Sequence, residues 1–289
     1  MEQNHLFTDT KGKIRQADPQ DYERVAGFLT QNIRIHRHLD WFTALEWLGE
    51  QPFLLETNEN QILAMLCAAK ENPETSWIRA FGIRKTIPNK IHWQRLLSKA
   101  IQTLRETGTH EMASLAIEPW YEDLLTTSGF SHQQDVVVLE LDKHLMPSKR
   151  SRMFRIRSMQ PEDLRRVQEI DRLAFPPLWQ NSLNALGKAY QQNGIATVAE
   201  DNDNIVGYQI STTMTIYGHL ARLAVHPDFQ RQGIAYALVS DLMQSFDNLE
   251  MWRVTVNTQS DNLASLNLYH SLGFKLTGEK IPVFTLSLD

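Results

Sequence analysis

The spacing of apolar residues along this chain changes from a strand pattern to a helix pattern within residues 220–236. Residues 220–225 are apolar with one interruption, which is typical of a strand, and the turn His226-Pro227-Asp228 follows them. After Gly233 every fourth residue is apolar, which predicts a helix with one buried stripe. The stripe consists of Ile234, Leu238, Leu242 and Phe246. The pattern therefore predicts a strand, a loop and a helix, with a glycine where the helix begins.

The remainder of the second half shows the same two kinds of pattern. Strands are predicted at 154–158, 195–200, 205–214 and 252–257, and two short strands end the chain. Helices are predicted at 161–173, 182–192 and 263–272. This order predicts a mixed α/β fold of the α+β kind, in which a mostly antiparallel sheet has helices on both sides.

The first half of the chain repeats this order. A short strand beginning at Ile14 leads into a helix with proline in its first turn, and the same arrangement begins again at Ile156, 142 residues later. The pairs Gly129-Phe130 and Gly273-Phe274 lie 144 residues apart. The beginnings and the ends of the two halves are thus separated by nearly the same number of residues, which indicates an internal duplication.

The duplication predicts two domains. We place one over residues 12–142 and the other over 154–289, both of ordinary domain size. Residues 143–153 between them are polar and basic and show no periodic pattern. That composition favours a solvated linker over a docking site for an anionic partner.

Composition narrows the class of protein. Of the residues, 42% are hydrophobic and 22% are charged, as in soluble globular proteins. The net charge of −5 offers no positive surface for nucleic acid or an anionic membrane. The polar N-terminus has no signal-peptide pattern, no apolar run is long enough to span a bilayer, and the single cysteine, Cys67, lies in an apolar segment typical of a buried thiol. We expect a cytoplasmic protein with no metal site and no nucleic-acid or membrane partner.

The loop before the predicted helix at 234 has the chemistry of an anion site. The first N–H groups of a helix have no partner within the helix, and the positive end of the helix dipole lies behind them. A pyrophosphate is a suitable ligand for such a group of amides. Gly233 and the small Ala235 would let phosphates approach the backbone closely. On this loop alone, a plain strand–helix turn is an equal alternative.

Two motifs resemble the GCN5-related N-acetyltransferase (GNAT) family. The first is Leu-Ala-Val-x-Pro followed by Gln-x-x-Gly-x-Ala, and the second runs from Asn262 through Tyr269 to Gly273. The resemblance covers residues 155–289 and, with the duplication, implies two tandem acyl-CoA N-acyltransferase folds. In this family the loop amides hold the pyrophosphate of CoA, and the preceding strand pairs with its pantetheine arm.

The resemblance implies acetyl-CoA as cosubstrate and a set of residues that bind it. A residue at the position of Asn262 bonds the pantetheine arm or an ordered water in this family. The full set of expected cofactor-binding residues is Leu223, Ala224, Val225, Gln230, Arg231, Gln232, Gly233, Ile234, Ala235, Tyr236, Asn262 and Ser265.

The resemblance also implies a catalytic acid at Tyr269. In the family a tyrosine at this position points at the sulfur of CoA. A neutral amine attacks the thioester, and a phenol can protonate the departing thiolate when position and field assist it. A strand N–H near Leu223 or Ala224 would stabilise the oxyanion.

The general base stays unassigned from the sequence. Many relatives carry a glutamate on the cofactor strand or on the next strand, where this chain has Ala221 and Asn257. His219, His226 and Asp228 lie nearby, although a histidine beside a turn is more often a solvated surface residue. A water relay is an equal alternative, since amines of modest pKa need little help.

The first half keeps the pattern but lacks the chemistry. Its loop at 84–90 contains no glycine and includes Pro88, so it is a poor site for a pyrophosphate. Leu125 occupies the position that corresponds to Tyr269, and Trp120-Tyr121 is typical of a core. We expect a degenerate copy of the fold that binds no CoA.

These observations favour an enzyme over a binding module. We expect an acetyl-CoA-dependent N-acetyltransferase that acts on a primary amine of a small-molecule or peptide acceptor. The alternative is an acyl-CoA sensor without turnover, which the missing carboxylate suggests. A sensor needs the loop but not the acid, so the loop together with Tyr269 favours the enzyme. Residues 174–179 either line the acceptor pocket or form a buried aromatic loop.

Overall fold

The computed structural model describes residues 12–59, 61–70, 72–142 and 154–289. The predicted linker at 143–153 lies outside these residues. The chain forms two compact units, the first of Met1–Gln133 with Val283–Asp289 and the second of Gln134–Pro282. No helix within the described ranges is both long and apolar enough to cross a bilayer.

The first unit is a mixed α/β structure. Its helices are α1 (Tyr22–Leu29), α2 (Asn89–Glu106) and α3 (Pro119–Thr126). Its strands are β1 (Lys13–Gln16), β2 (Ile33–Arg37), β3 (Phe53–Asn58), β4 (Gln61–Cys67), β5 (Thr75–Trp77), β6 (Ala80–Arg84) and β7 (Glu111–Leu115). One sheet has the order β1-β3-β4-β6-β2, and β5 pairs in parallel with β7. The chain that leads to the loop at 84–90 is therefore interrupted between β5 and β6.

The strand β8 (Ser131–Asp142) begins in the first unit and continues into the second, whose other elements follow the same order. Its helices are α4 (Leu164–Ala174), α5 (Leu183–Gln191), α6 (Ile234–Asn248) and α7 (Leu263–Ser271). Its strands are β9 (Arg155–Ser158), β10 (Ile195–Asp201), β11 (Asn204–Met214), β12 (Tyr217–Val225), β13 (Arg253–Gln259) and β14 (Lys275–Ser287). The sheet runs β9-β10-β11-β12-β13-β8, and all pairs are antiparallel except β12 with β13.

The last strand of each half of the sequence completes the sheet of the other unit. β8 ends the first half, but its residues 136–142 pair with β13 in the second unit. β14 ends the chain as one continuous strand rather than the two predicted, and its residues 283–287 pair with β7 in the first unit. The predicted bounds 12–142 and 154–289 thus separate the sequence repeats but not the compact units. Alternation of residues along a strand does not specify which sheet the strand joins, so the exchange was not predictable from the pattern.

The core of the second unit lies between its sheet and α6. Leu242 and Phe246, two members of the predicted stripe, are fully buried in one cluster with Leu220 and Val254. A side chain at Gly218 would meet the Phe246 ring at 2.7 Å, so the strand needs glycine there. Each fully buried apolar side chain stabilises the fold by roughly 1.5–3 kcal/mol, and this packing fixes α6 against β12.

The first unit has a core that confirms two expectations about individual side chains. The thiol of Cys67 is fully buried, and burial raises its pKa to about 12. Tyr121 is fully buried with its hydroxyl 2.8 Å from that of Ser114, and Trp120 packs against the same cluster. Neither group belongs to an exposed site.

Candidate active site

The central feature of the second unit is the point at which β12 and β13 separate. Their parallel pairing runs from Tyr217 with Arg253 to Leu220 with Val256 and ends there. On its other side β12 stays paired with β11 as far as Val225. In the part of the chain that the structure describes, residues 221–225 have no strand partner on the β13 side. Their outward N–H and C=O groups can therefore bond an extended ligand.

A β-bulge marks the same point. Leu220 pairs with Ser211 and Arg222 pairs with Ile210, so Ala221 is an extra residue in β12. A bulge re-aims the side chains and backbone groups beside it. The separation of the strands is therefore a local feature of β12, and the alternation of apolar residues does not reveal it.

The loop between β12 and α6 has the backbone of an anion site. Arg231 has φ +61°, and Gly233, the residue before α6, has φ +87° and ψ 4°. Two residues with left-handed φ, separated by one residue, turn successive N–H groups toward one side. No side chain caps the start of α6. The amides and the helix dipole therefore face outward together, as an anion site requires.

Side chains of the loop hold its shape. Gln230 donates from Nε2 to the carbonyl of Val225 at 3.1 Å, and Gln232 donates to that of Asp228 at 3.4 Å. Arg231 is exposed and has no ion-pair partner among the described residues, so its charge is available to a ligand. The side chains of Gln230 and Gln232 therefore bond the backbone of the turn that precedes them.

The remaining predicted contacts of the loop divide into buried and exposed residues. Ile234 is 1% exposed and packs in a cluster with Val206 and Leu238, which anchors the start of α6. Ala235 packs against the same cluster, whereas Tyr236 is 42% exposed. Within β12, Ala224 and Val225 are buried and Leu223 is partly exposed beside the strand separation.

Tyr269 lies beside the separation of the strands. It is buried in the same cluster as Leu220 and Val256, the last pair of β12 and β13, and its ring packs against Phe274 at 5.7 Å between centroids. Burial raises the pKa of its phenol, so the hydroxyl keeps its proton at neutral pH. The predicted acid therefore shares a buried cluster with the last pair of β12 and β13.

Asn262 and Ser265 have a structural bond that their spacing alone did not assign. The side-chain oxygen of Asn262 accepts from the backbone N–H of Ser265 at 3.1 Å, which caps the start of α7. Its side-chain nitrogen lies 3.4 Å from the side-chain oxygen of Gln259. The cap fixes the direction of α7 and thereby the position of Tyr269.

The residues weighed as general base differ in their surroundings. His226 accepts from the N–H of Asp228 at 3.3 Å and so caps the turn after β12, and the Asp228 side chain is 84% exposed. Asn257 lies on β13, one residue after Val256, which is the last residue of β13 that pairs with β12. His219 lies on β12 with its Nδ1 2.9 Å from the hydroxyl of Thr255.

A buried polar network beside β12 was missed from the sequence. Asp171 of α4 is fully buried and accepts from Arg222 at 2.8 Å, from the Tyr208 hydroxyl at 2.5 Å and from the N–H of Asn181 at 2.8 Å. Arg222 also donates to the carbonyl of Trp179 at 2.7 Å. The sequence offered one signal for this network, because Asp171 lies on an apolar face of its helix. A carboxylate buried there requires polar partners.

The network settles the position of residues 174–179. The Arg222 guanidinium lies 3.6 Å from the centre of the Phe175 ring, and Gln180 donates to the Phe175 carbonyl at 2.9 Å. The segment is therefore tied to β12 on the face that carries α4.

Comparison with known families identifies this arrangement. The sequence model of the Acetyltransferase (GNAT) family matches residues 164–274, which include the diverging strands, the loop and Tyr269. The match lies within the second unit, which therefore carries a domain of this acetyltransferase family.

Individual proteins resemble the chain over the same region or the whole length. The [ribosomal protein bS18]-alanine N-acetyltransferase of Escherichia coli K12 is 25% identical over 122 residues, 42% of this chain and 81% of that protein. N-alpha-acetyltransferase 30 of Schizosaccharomyces pombe is 30% identical over 82 residues, 27% of this chain and 55% of that protein. A solved tandem GNAT protein from the clavulanic acid biosynthesis pathway has a TM-score of 0.62 and 12% identity, over 96% of this chain and 98% of that one. This last likeness confirms the predicted GNAT fold.

The first unit differs from the acetyltransferase domain at the corresponding edge. Its strand β6 lies 142 residues before the segment 222–226. β2 pairs antiparallel with β6 from Ile33 with Arg84 to Arg37 with Ala80. The edge that is open in β12 is thus occupied in β6 by a strand of the same unit. Leu125, at the position of Tyr269, is fully buried in the core.

Proposed function

We propose that the second unit transfers the acetyl group of acetyl-CoA to a primary amine. The observation that carries this proposal is the convergence of three features at the end of β12. These are an unpaired strand edge, a loop whose amides face outward, and a buried tyrosine. Each feature suits a different part of an acyl-CoA molecule.

The residues present fit acetyl-CoA from one end to the other. The amides of 231–235, with the positive charge of Arg231, would hold the pyrophosphate. The unpaired edge of β12 would bond the pantetheine amides as a further strand does. The small side chain of Ala224 and the absence of a side chain at Gly233 leave the backbone accessible there.

Acetyl-CoA supplies the acetyl thioester, and the protein supplies fixed dipoles and protons. An N–H of β12 near Leu223 or Ala224 would stabilise the negative charge on the carbonyl oxygen. Tyr269 would give its hydroxyl proton to the departing sulfur. Its raised pKa keeps that proton in place until the thiolate forms. Asn262 and Ser265 would act on the ligand through the helix start that they shape.

We propose further that the first unit is a degenerate copy that binds no CoA. Strand β2 covers the edge at which the pantetheine arm would pair. Residues 84–90 contain no glycine, so the backbone there lacks the close approach that Gly233 provides. The position of the acid is an apolar core residue, Leu125.

An acyl-CoA sensor is the second candidate. It is favoured by Ala221 and Asn257, because neither side chain can accept a proton as a carboxylate does. The decisive test is release of free CoA thiol from acetyl-CoA with a panel of amines. The panel should contain small primary amines and peptides with a free N-terminus, the acceptor class in the names of the relatives. Turnover with any member supports the enzyme, and tight binding with no turnover on all of them supports the sensor.

A further inference from the structure

His219 lies on the face of β12 that carries α4. Tyr208 of β11 bonds Asp171 of α4, so this face of the sheet is the one that carries α4. Thr212, four residues along β11, is on the same face and is paired with His219. The opposite face carries α6, against which Leu220 packs. His219 is thus one residue before the separation of the strands and directed away from α6.

The imidazole is oriented by Thr255 of the neighbouring strand. Its Nδ1 lies 2.9 Å from the Thr255 hydroxyl on the neighbouring strand, and its Nε2 has no hydrogen-bond partner among the described residues. When Nδ1 donates to Thr255, Nε2 carries the lone pair. The residue is partly exposed.

The charged groups on this face are paired with one another. Arg222 is paired with Asp171, and Arg253 of β13 lies 3.3 Å from Glu140 and 3.9 Å from Asp142, both of β8. Glu140 is the strand partner of Thr255, one strand further along the sheet. Burial lowers the pKa of His219, so the ring is neutral at pH 7. A neutral imidazole is the form that accepts a proton.

We infer that His219 is the general base of the acetyl transfer, a role that rests on the proposed function. Its Nε2 takes one proton from the ammonium group of the acceptor, directly or across one water. The freed lone pair forms the N–C bond, the C–S bond breaks, and the Tyr269 hydroxyl protonates the sulfur. The new amide nitrogen then loses its second proton, which returns through water to the tyrosinate, and the imidazolium gives its proton to solvent. Proton number and charge are then restored.

The other side chains near the cleft do not fit this role as well. Ala221 and Asn257 cannot accept a proton at neutral pH. His226 uses its Nδ1 to cap the turn after β12. Asp171 is enclosed by Arg222, Tyr208 and Asn181, so its carboxylate is fully occupied.

The test combines kinetics with a titration that needs no turnover. His219→Gln keeps a bond to Thr255 but does not titrate, so we expect kcat/KM at pH 7 to fall by about 10²–10⁴-fold. The fall should shrink at high pH, where the amine loses its proton unaided, and the acid limb of kcat/KM should disappear. In the ligand-free wild type, the NMR titration of the His219 ring should give a pKa below 6.5 that matches that limb. Affinity for acetyl-CoA should stay within about twofold.

Two controls make the result specific. His110→Gln changes a histidine whose side chain is 66% exposed in the first unit and should leave the profile unchanged. Thr255→Val removes the orienting hydroxyl and should lower kcat/KM, and Thr255→Ser should restore it. A His219→Gln enzyme that keeps its rate and its acid limb would overturn the inference but not the proposed function. A wild type that turns over no amine would overturn the proposed function first, and with it this assignment.

Discussion

Arg222 and Asp171 form a buried ion pair that joins the cofactor strand to the helix facing it. The guanidinium Nε donates to the carboxylate at 2.8 Å, and the Asp171 side chain is fully buried. Because Arg222 precedes Leu223 in the open part of β12, the pair links the backbone that would bind acetyl-CoA to α4, and Arg222 also contacts residues 174–179. One network therefore fixes β12, α4 and this segment relative to one another.

Removal of Asp171 should destabilise the protein strongly. Asp171→Ala leaves the guanidinium of Arg222 buried without its partner, and such losses cost about 3–5 kcal/mol. The measurement is the free energy of unfolding in urea. Arg253→Ala is the matched control, because it breaks a pair with side chains 44% and 33% exposed and should cost no more than about 1 kcal/mol. Equal losses of unfolding free energy in the two variants would show that the buried pair stabilises the protein no more than the exposed one.

The first unit should lose stability in acid through His36. This ring is 1% exposed, stacks on Tyr121 at 4.0 Å, and has no hydrogen-bond partner for either nitrogen among the described residues. Burial lowers its pKa from 6.5 to about 4, so the unfolded chain binds more protons between these values. Stability is therefore full above pH 6.5 and falls toward pH 4, by about 3 kcal/mol for this group. Burial of the His38 ring and the charge of Arg79 lower the pKa of His38, which acts in the same direction.

His36→Phe isolates the contribution of this ring. Phenylalanine keeps the stacking surface against Tyr121 and does not titrate. Unfolding free energies of both proteins at pH 7 and pH 4.5 should show a smaller acid loss in the variant. An acid loss of the same size in both would place the titrating group elsewhere.

Local features of the site were predictable from sequence, whereas long-range pairings were not. Gly233 and the helix after it follow from the spacing of nearby residues, and the structure gives Gly233 the left-handed φ of +87°. The occupation of the β6 edge by Ile33–Arg37 depends on contacts about fifty residues apart, which alternation does not encode. The same holds for the exchange of β8 and β14.

The buried network around Asp171 shows a second limit of prediction from sequence. Asp171 and Arg222 are each ordinary residues in their own segments, and only the fold brings them together. His219 was one of several bases that the sequence left open. Its face of the sheet became known only through the register of β11 with β12.

Gly233 should be required for acetyl-CoA binding. In Gly233→Val the branched side chain blocks the approach of phosphate and is strained at φ +87°. We expect acetyl-CoA affinity to weaken by at least a few kcal/mol, measured by calorimetry. Gly278→Val is the matched control, because Gly278 has φ +89° and no neighbouring atom within 4 Å of an added side chain. Loss of affinity in both variants would point to general strain rather than to the loop.

Tyr269→Phe should separate catalysis from binding. The ring and its packing against Phe274 remain, but the proton donor is removed. We expect kcat to fall by about 10²–10⁴-fold with little change in acetyl-CoA affinity. In the wild type the alkaline limb of kcat should lie above the usual tyrosine pKa of about 10, and it should vanish in the variant. Full activity of Tyr269→Phe would mean that the thiolate takes its proton from water.

The number of acetyl-CoA molecules bound per chain tests the central claim most directly. The second unit has an open β12 edge and the loop at Gly233, while β2 covers the corresponding edge of the first unit. Calorimetric titration of the full-length protein with acetyl-CoA should therefore give a stoichiometry of about one per chain. This single site should be lost in Gly233→Val. A stoichiometry near two, or one site that survives in Gly233→Val, would contradict it.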